Sequence, residues 1–152
     1  MRAVVQRVLS ASVVVDGETV GQIQKGLLVY LGIGKGDRDE DRAYLLKKIL
    51  GLRVFANADG KMDRSIADVG GSLLVVSQFT LYGDVRRGLR PSFDGAMEPG
   101  EAEKACEAFV LEAKKVVPVE TGRFRAHMTV TSRNDGPVTL LLDSERAKDG
   151  GP

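Results

Sequence analysis

The sequence has no tryptophan, one cysteine, one histidine and five prolines in 152 residues. With Cys106 alone, no intrachain disulfide can close and no cysteine-rich metal site can assemble, a usage that fits a reducing compartment. With His127 alone, a Ser–His–Asp triad must use that one imidazole, and it stands in an alternating segment with no evident acid partner. A zinc site would need three or four ligands from one His, one Cys and carboxylates at no recognisable spacing, so no metal is expected. Charge of one sign is missing as well: 22 basic against 21 acidic residues leave a net +1. A broad nucleic-acid footprint requires a strongly basic domain, so any RNA contact must be local. No apolar run approaches the ~20 residues that span a bilayer. The opening Met1-Arg2-Ala3-Val4-Val5-Gln6-Arg7 breaks its apolar residues with charge, unlike a secretory signal. These absences predict a cytoplasmic protein without a membrane segment.

What is present reads as one ordinary globular domain, with 43% hydrophobic and 28% charged residues. A β-branched run, Val4 to Val15, ends at Asp16-Gly17, a strong hairpin signal because glycine accepts the positive φ of a tight turn. Thr19–Ile23 leads through Lys25-Gly26 into Leu27-Leu28-Val29-Tyr30-Leu31, apolar on both pleat faces and so a central, doubly covered strand. Gly32-x-Gly34-x-Gly36 lacks the phosphate-loop lysine and the full dinucleotide fingerprint, which leaves a glycine-rich turn and no expected cofactor. Asp37 is placed to cap a helix whose stripe is Leu45, Leu46, Ile49 and Leu50. Arg53-Val54-Phe55 with the turn Asn57–Gly60, and Ser72–Val76, predict further strands.

Residues 82–100 predict a long loop, and from Glu101 a second helix follows on Ala102, Ala105, Cys106, Phe109, Val110 and Ala113. Phe124–Thr131 alternates as a half-buried strand, Asn134-Asp135-Gly136-Pro137 turns the chain, and Val138–Leu142 forms the last strand. The expected fold is therefore α/β with mixed sheets, seven to eight strands in a β-barrel-like core with two long helices. Residues 1–145 form the single domain, and 146–152 a polar flexible tail.

With the usual catalysts absent, two polar patches remain. Ser77-Gln78-Phe79-Thr80 ends an apolar strand, and strand alternation would point Ser77 and Phe79 one way, Gln78 and Thr80 the other. Such a cluster can offer donors to an oxyanion, or merely satisfy hydrogen bonds at a strand end. Asn134-Asp135-Gly136-Pro137 can be a plain hairpin turn, or a cis X-Pro site that aims two carbonyls one way as acceptors for an ammonium. The residues alone leave both pairs of readings open.

In this order the segments resemble the D-aminoacyl-tRNA deacylase family over nearly the whole chain, from Met1 to about Asp143. The resemblance is carried by Gln6-Arg7-Val8, Gly70-Gly71-Ser72-Leu73-Leu74-Val75-Val76-Ser77-Gln78-Phe79-Thr80-Leu81, Arg90-Pro91-Ser92-Phe93, Thr121-Gly122-Arg123-Phe124 and Asn134-Asp135-Gly136-Pro137-Val138-Thr139. It contains both signature motifs of the family, SQxT and NxGPVT. The resemblance implies a homodimer in which Gly136-Pro137, joined by a cis bond, enters the partner subunit's pocket and holds the substrate's α-amino group. L-residues are excluded and glycine passes. It further implies that the 2′-hydroxyl of the tRNA's terminal adenosine assists attack on the 3′-ester. Ser77, Gln78, Phe79 and Thr80 then line the pocket, with the Phe79 and Thr80 amides steadying the oxyanion. Arg7 buttresses the Gly-Pro segment, Phe93 stacks on adenine, Met128 contributes to the wall, and Arg86, Arg87 and Arg90 meet tRNA phosphates. Three rivals stand beside this one: an esterase or amidase of small free D-amino acid derivatives, a non-catalytic RNA-binding module, and a sister activity of the same family that prefers another mischarged tRNA. The second lacks the basic face or surface aromatics it needs, given 5% aromatics.

Overall fold

The computed structural model describes residues 1–148. The hairpin signal at Asp16-Gly17 is realised, with φ of 48° and 79° joining strand β1 (Arg2–Val15) to β2 (Glu18–Ile23). β3 (Gly26–Gly32) is the central strand that its apolar run requires, antiparallel to β1 and parallel to β6 (Ser72–Ser77). Leu27, Leu28, Val29 and Leu31 are each at most 1% exposed, so both faces of β3 are covered. β7 (Val119–Thr121) extends the sheet beside β6, and β8 (Thr129–Asp143) runs along the other edge of β1. β4 (Phe55–Ala56) and β5 (Met62–Arg64) form a separate small ribbon around the Asn57–Gly60 turn, whose Asn57 side chain accepts from the Asp59 and Lys61 amides.

The sheet curls until β2 lies against β7. A side chain at Gly21 would put its Cβ 2.2 Å from the Thr121 carbonyl oxygen, so only glycine lets the strands come this close. The near-closed barrel has two cores. Ala3, Val5, Leu27, Val29 and Leu73 pack under helices α1 (Asp39–Gly51) and α2 (Pro99–Ala113). Val8, Ala11, Val13, Val15, Leu28 and Leu74 fill the barrel interior. β1 crosses from one core to the other because its register shifts between Gln6 and Val8 and again between Val8 and Ser10; bulges bend a strand and change its buried parity.

Four expectations are corrected. Asn134–Pro137 is not a hairpin turn: its flanks both pair with β1, so the turn-forming residues become a bulge within one 15-residue strand. The strand expected over Phe124–Thr131 begins only at Thr129, because Arg125 has a left-handed backbone (φ 63°) and Ala126 N–H donates to the Arg123 carbonyl (3.2 Å), a turn that no strand can contain. Asp37 does not cap α1; its carboxylate takes the Met1 ammonium (2.5 Å) and the Gly34 amide (2.6 Å), and Asp41 accepts from the Arg38 amide instead. Arg146–Lys148, expected in the tail, belong to α3 (Ser144–Lys148), held to α1 by a Lys148–Asp41 ion pair at 2.7 Å. The rest of that tail, 149–152, lies outside the described residues.

Candidate functional site

β6 ends at Ser77, and Gln78 N–H makes the last bond of the sheet register to the Leu31 carbonyl (2.8 Å). The chain then tightens into a 3₁₀ turn, Phe79–Tyr82, so strand alternation does not extend past Ser77. The first hydrogen bond of that turn is donated by Leu81 to Gln78 O, which leaves the Phe79 and Thr80 amides ahead of it, in the position of unpaired helix-start donors. The Gln78 amide donates to the Thr80 hydroxyl and fixes both side chains. Phe79 is 59% exposed for so large an apolar side chain, and Phe93 meets its ring edge-on at 5.0 Å between centroids.

Ser77, Gln78 and Phe79 form one wall of a cleft of about 450 Å³. Phe124, Arg125, His127 and Met128 line the same cleft. A side chain at Gly122 would stand 2.6 Å from the Met128 sulfur, so glycine there lets Met128 pack down onto the turn. A second cavity of about 480 Å³ adjoins it and shares Ser77, Cys106 and Phe124. Burial, with Glu103 and Glu107 nearby, pushes the Cys106 thiol up to about 12, so it is no thiolate nucleophile near neutrality. The lining of the first cleft contains no carboxylate, and His127 makes no hydrogen bond to Ser77 or Thr80 among the described residues. Among those residues no group of three or more His, Cys, Asp and Glu is arranged to hold a metal ion. Among the described residues no helix is long and apolar enough to cross a membrane.

Gly136 and Pro137 are exposed and do not line this cleft of their own subunit. Their bond is cis. Thr139 pairs opposite Gln6 and Asn134 opposite Val8, so Asp135–Val138 stand out from the ladder opposite Arg7 alone. The Asn134 side chain fastens both ends of the protrusion, accepting from the Val138 amide (3.2 Å) and donating to the Thr139 hydroxyl (3.0 Å). Arg7 braces it from below: Nε donates to the Asp135 carbonyl (3.2 Å), while Nη1 donates to Val54 O (2.6 Å).

Arg86, Arg87 and Arg90 lie exposed on the loop between the isolated bridge partners Asp84 and Ser92. Asp84 clamps Arg86 through Nε and Nη2 (2.6 Å), which leaves Arg87 and Arg90 without an acidic partner among the described residues. The residues thus fall into four groups: Ser77–Phe79 with Met128 in the cleft, Thr80 and Phe93 at the turn beside it, Arg7 with Gly136-Pro137 at a separate protrusion, and Arg86, Arg87 and Arg90 on the 84–92 loop. Sequence reading missed Phe124 and Arg125 as cleft residues because the turn holding them mimics strand alternation; nothing in the pattern announces a left-handed arginine.

The fold is a near-closed mixed barrel with a mostly apolar cleft at the end of its central strand pair, and comparison with known proteins specifies the class. The sequence model described as D-Tyr-tRNA(Tyr) deacylase matches residues 4–143. The D-aminoacyl-tRNA deacylase of Thermotoga petrophila is 56% identical over 147 residues, covering 96% of this chain and 99% of its own. That of Sorangium cellulosum is 57% identical over 148 residues, with coverage of 96% and 99%. A solved structure described as c-Myc DNA Unwinding Element Binding Protein superposes with a TM-score of 0.89 at 41% identity, covering 94% of this chain and 98% of that one. The chain belongs to the D-Tyr-tRNA(Tyr) deacylase family.

Proposed function

We propose that this chain is an editing hydrolase that cleaves the ester of D-aminoacyl-tRNA, and of mischarged glycyl-tRNA, to free amino acid and tRNA. The coarse activity rests on family membership. The observation that carries the finer mechanism is the separation of the two polar patches: donors in one subunit's cleft, a braced and exposed acceptor segment that does not line that cleft. Such a pair is complementary in trans. In a homodimer, Gly136-Pro137 enters the partner subunit's cleft and its carbonyls accept the substrate's α-ammonium. With the ammonium and the ester both anchored, the third substituent of Cα can point only one way. A D side chain leaves the cleft, an L side chain meets the Gly-Pro backbone, and glycine passes because it has nothing to exclude. Among the described residues β8 pairs with β1 alone, so its other edge is available to a second copy, and long open edges are what natural proteins cover.

The Phe79 and Thr80 amides steady the developing oxyanion, a role worth about 2.7–4 kcal/mol per donor in hydrolases that use it. The absence of a carboxylate in the cleft, and of a histidine–hydroxyl bond, supports a reaction in which the neighbouring 2′-hydroxyl of the terminal adenosine assists attack. The tRNA body is held by local cations, with Arg87 and Arg90 the least encumbered, and the cytoplasm is where such a substrate is found. Incubation with D-tyrosyl-tRNA releases D-tyrosine in this account, and a terminal 2′-deoxyadenosine carrying the ester on its 3′-oxygen is inert. Cleavage of the 2′-deoxy ester at the normal rate would put the catalytic group on the protein instead.

A further inference from the structure

Asp16 and Arg125 are the non-glycine residues with left-handed backbone among those described. Aspartate tolerates that region in a hairpin turn; a long side chain there is disfavoured by contact of its Cβ with the following carbonyl. A strained backbone position beside a cleft points to something the side chain does. Arg125 lines the cleft that starts at Ser77, is exposed, and is its one permanently charged lining residue. No carboxylate lines that cleft, and Arg125 has no ion-pair partner among the described residues. The strained turn therefore delivers a guanidinium to a cleft that no described carboxylate lines.

We propose that Arg125 binds the phosphodiester on the 5′ side of the terminal nucleoside whose 3′-ester enters the cleft. This rests on the deacylase reading. An aminoacyl ester brings an α-ammonium, which Arg125 repels, and the nearest anion on the same molecule is the nucleoside's own 5′-phosphate. A guanidinium meets phosphate oxygens through paired N–H donors, with geometric as well as electrostatic preference. Arg125 thus sets the direction of entry: phosphate toward the Arg123–Ala126 turn, ester carbonyl toward the Phe79 and Thr80 amides, ammonium away from both. It also makes the enzyme select nucleotide esters over small free esters.

The test compares the 3′-O-D-tyrosyl ester of adenosine with that of adenosine 5′-phosphate, alongside D-tyrosyl-tRNA. The wild-type chain is expected to favour the phosphorylated ester by about tenfold in kcat/KM, the modest end for a charge-assisted contact. Arg125→Gly brings that ratio to about one, and its Tm stays at or above wild type because glycine adopts the left-handed conformation freely. Arg125→Lys retains part of the preference. A wild-type enzyme without phosphate preference, or an Arg125→Gly variant that keeps it, overturns the assignment while leaving cleavage of D-tyrosyl-tRNA intact. Failure of the wild-type chain to cleave D-tyrosyl-tRNA overturns the deacylase reading itself.

Discussion

Arg7 of β1 is the one residue facing the four-residue protrusion Asp135–Val138 of β8, and its guanidinium ties Asp135 to Val54. The Arg7 side chain is 14% exposed, and truncating it leaves the carbonyl of buried Val54 without its partner. Arg7→Ala is expected to lower kcat/KM on D-tyrosyl-tRNA by about 10- to 100-fold, the value of one or two charge-assisted bonds. Arg7→Lys does not restore it, because a point ammonium cannot bridge Val54 and Asp135 as a planar fork does. Steady-state kinetics of both variants decide this; full activity of the lysine variant would remove the bracing role.

Gly136 has φ 124°, and a Cβ there would lie 3.0 Å from both Arg7 Nη2 and Val138 Cγ2. Gly136→Ala therefore combines a disfavoured backbone with a clash against the brace, at a cost of about 2 kcal/mol. Urea unfolding reads the stability loss directly. An unchanged midpoint would show that the protrusion yields without cost.

On the 84–92 loop, Asp84 already engages Arg86. Arg87→Glu with Arg90→Glu is expected to weaken tRNA binding and to flatten its dependence on salt by about two phosphate contacts, whereas Arg86→Ala changes little. Binding titrations across salt concentrations test this; unchanged affinity and slope in the double variant would take the loop out of tRNA recognition.

Asp41 makes stability depend on pH. Burial alone would raise its carboxyl, but the Lys148 ammonium, the Arg38 amide and Ser144 override it and bring it from 3.8 to about 2. Because the folded value lies below the unfolded one, this stabilisation is complete above about pH 4 and fades as pH falls toward about 2. Asp41→Asn should cost about 2 kcal/mol near neutrality, with the difference from wild type shrinking through that acidic window. Urea denaturation at several pH values checks it, and a constant difference would contradict the ion-pair account.

The sequence displays those features whose causes are local. The double-faced apolar run Leu27–Leu31, the Asp16-Gly17 turn and the two helical stripes each carry their own periodicity, and each appears where expected. What escapes is decided by distant partners. Asn134-Asp135-Gly136-Pro137 has every local mark of a hairpin, but β1 pairs with both flanks and makes it a bulge. Asp37 has the spacing of a cap, yet the Met1 ammonium claims its carboxylate. In the cleft, polar residues directly after the buried run Leu73–Val76 can be seen in the sequence, whereas Arg125 and His127 sit in an alternating pattern that a left-handed residue interrupts.

The most direct test of the account is to charge one tRNA with labelled D-tyrosine, L-tyrosine or glycine and follow ester loss with and without the protein. The account predicts rapid loss of the D-tyrosyl and glycyl esters while the L-tyrosyl ester decays at its spontaneous rate. Equal loss of the D- and L-tyrosyl esters would contradict it, because a segment that excludes by the side chain's direction cannot release both.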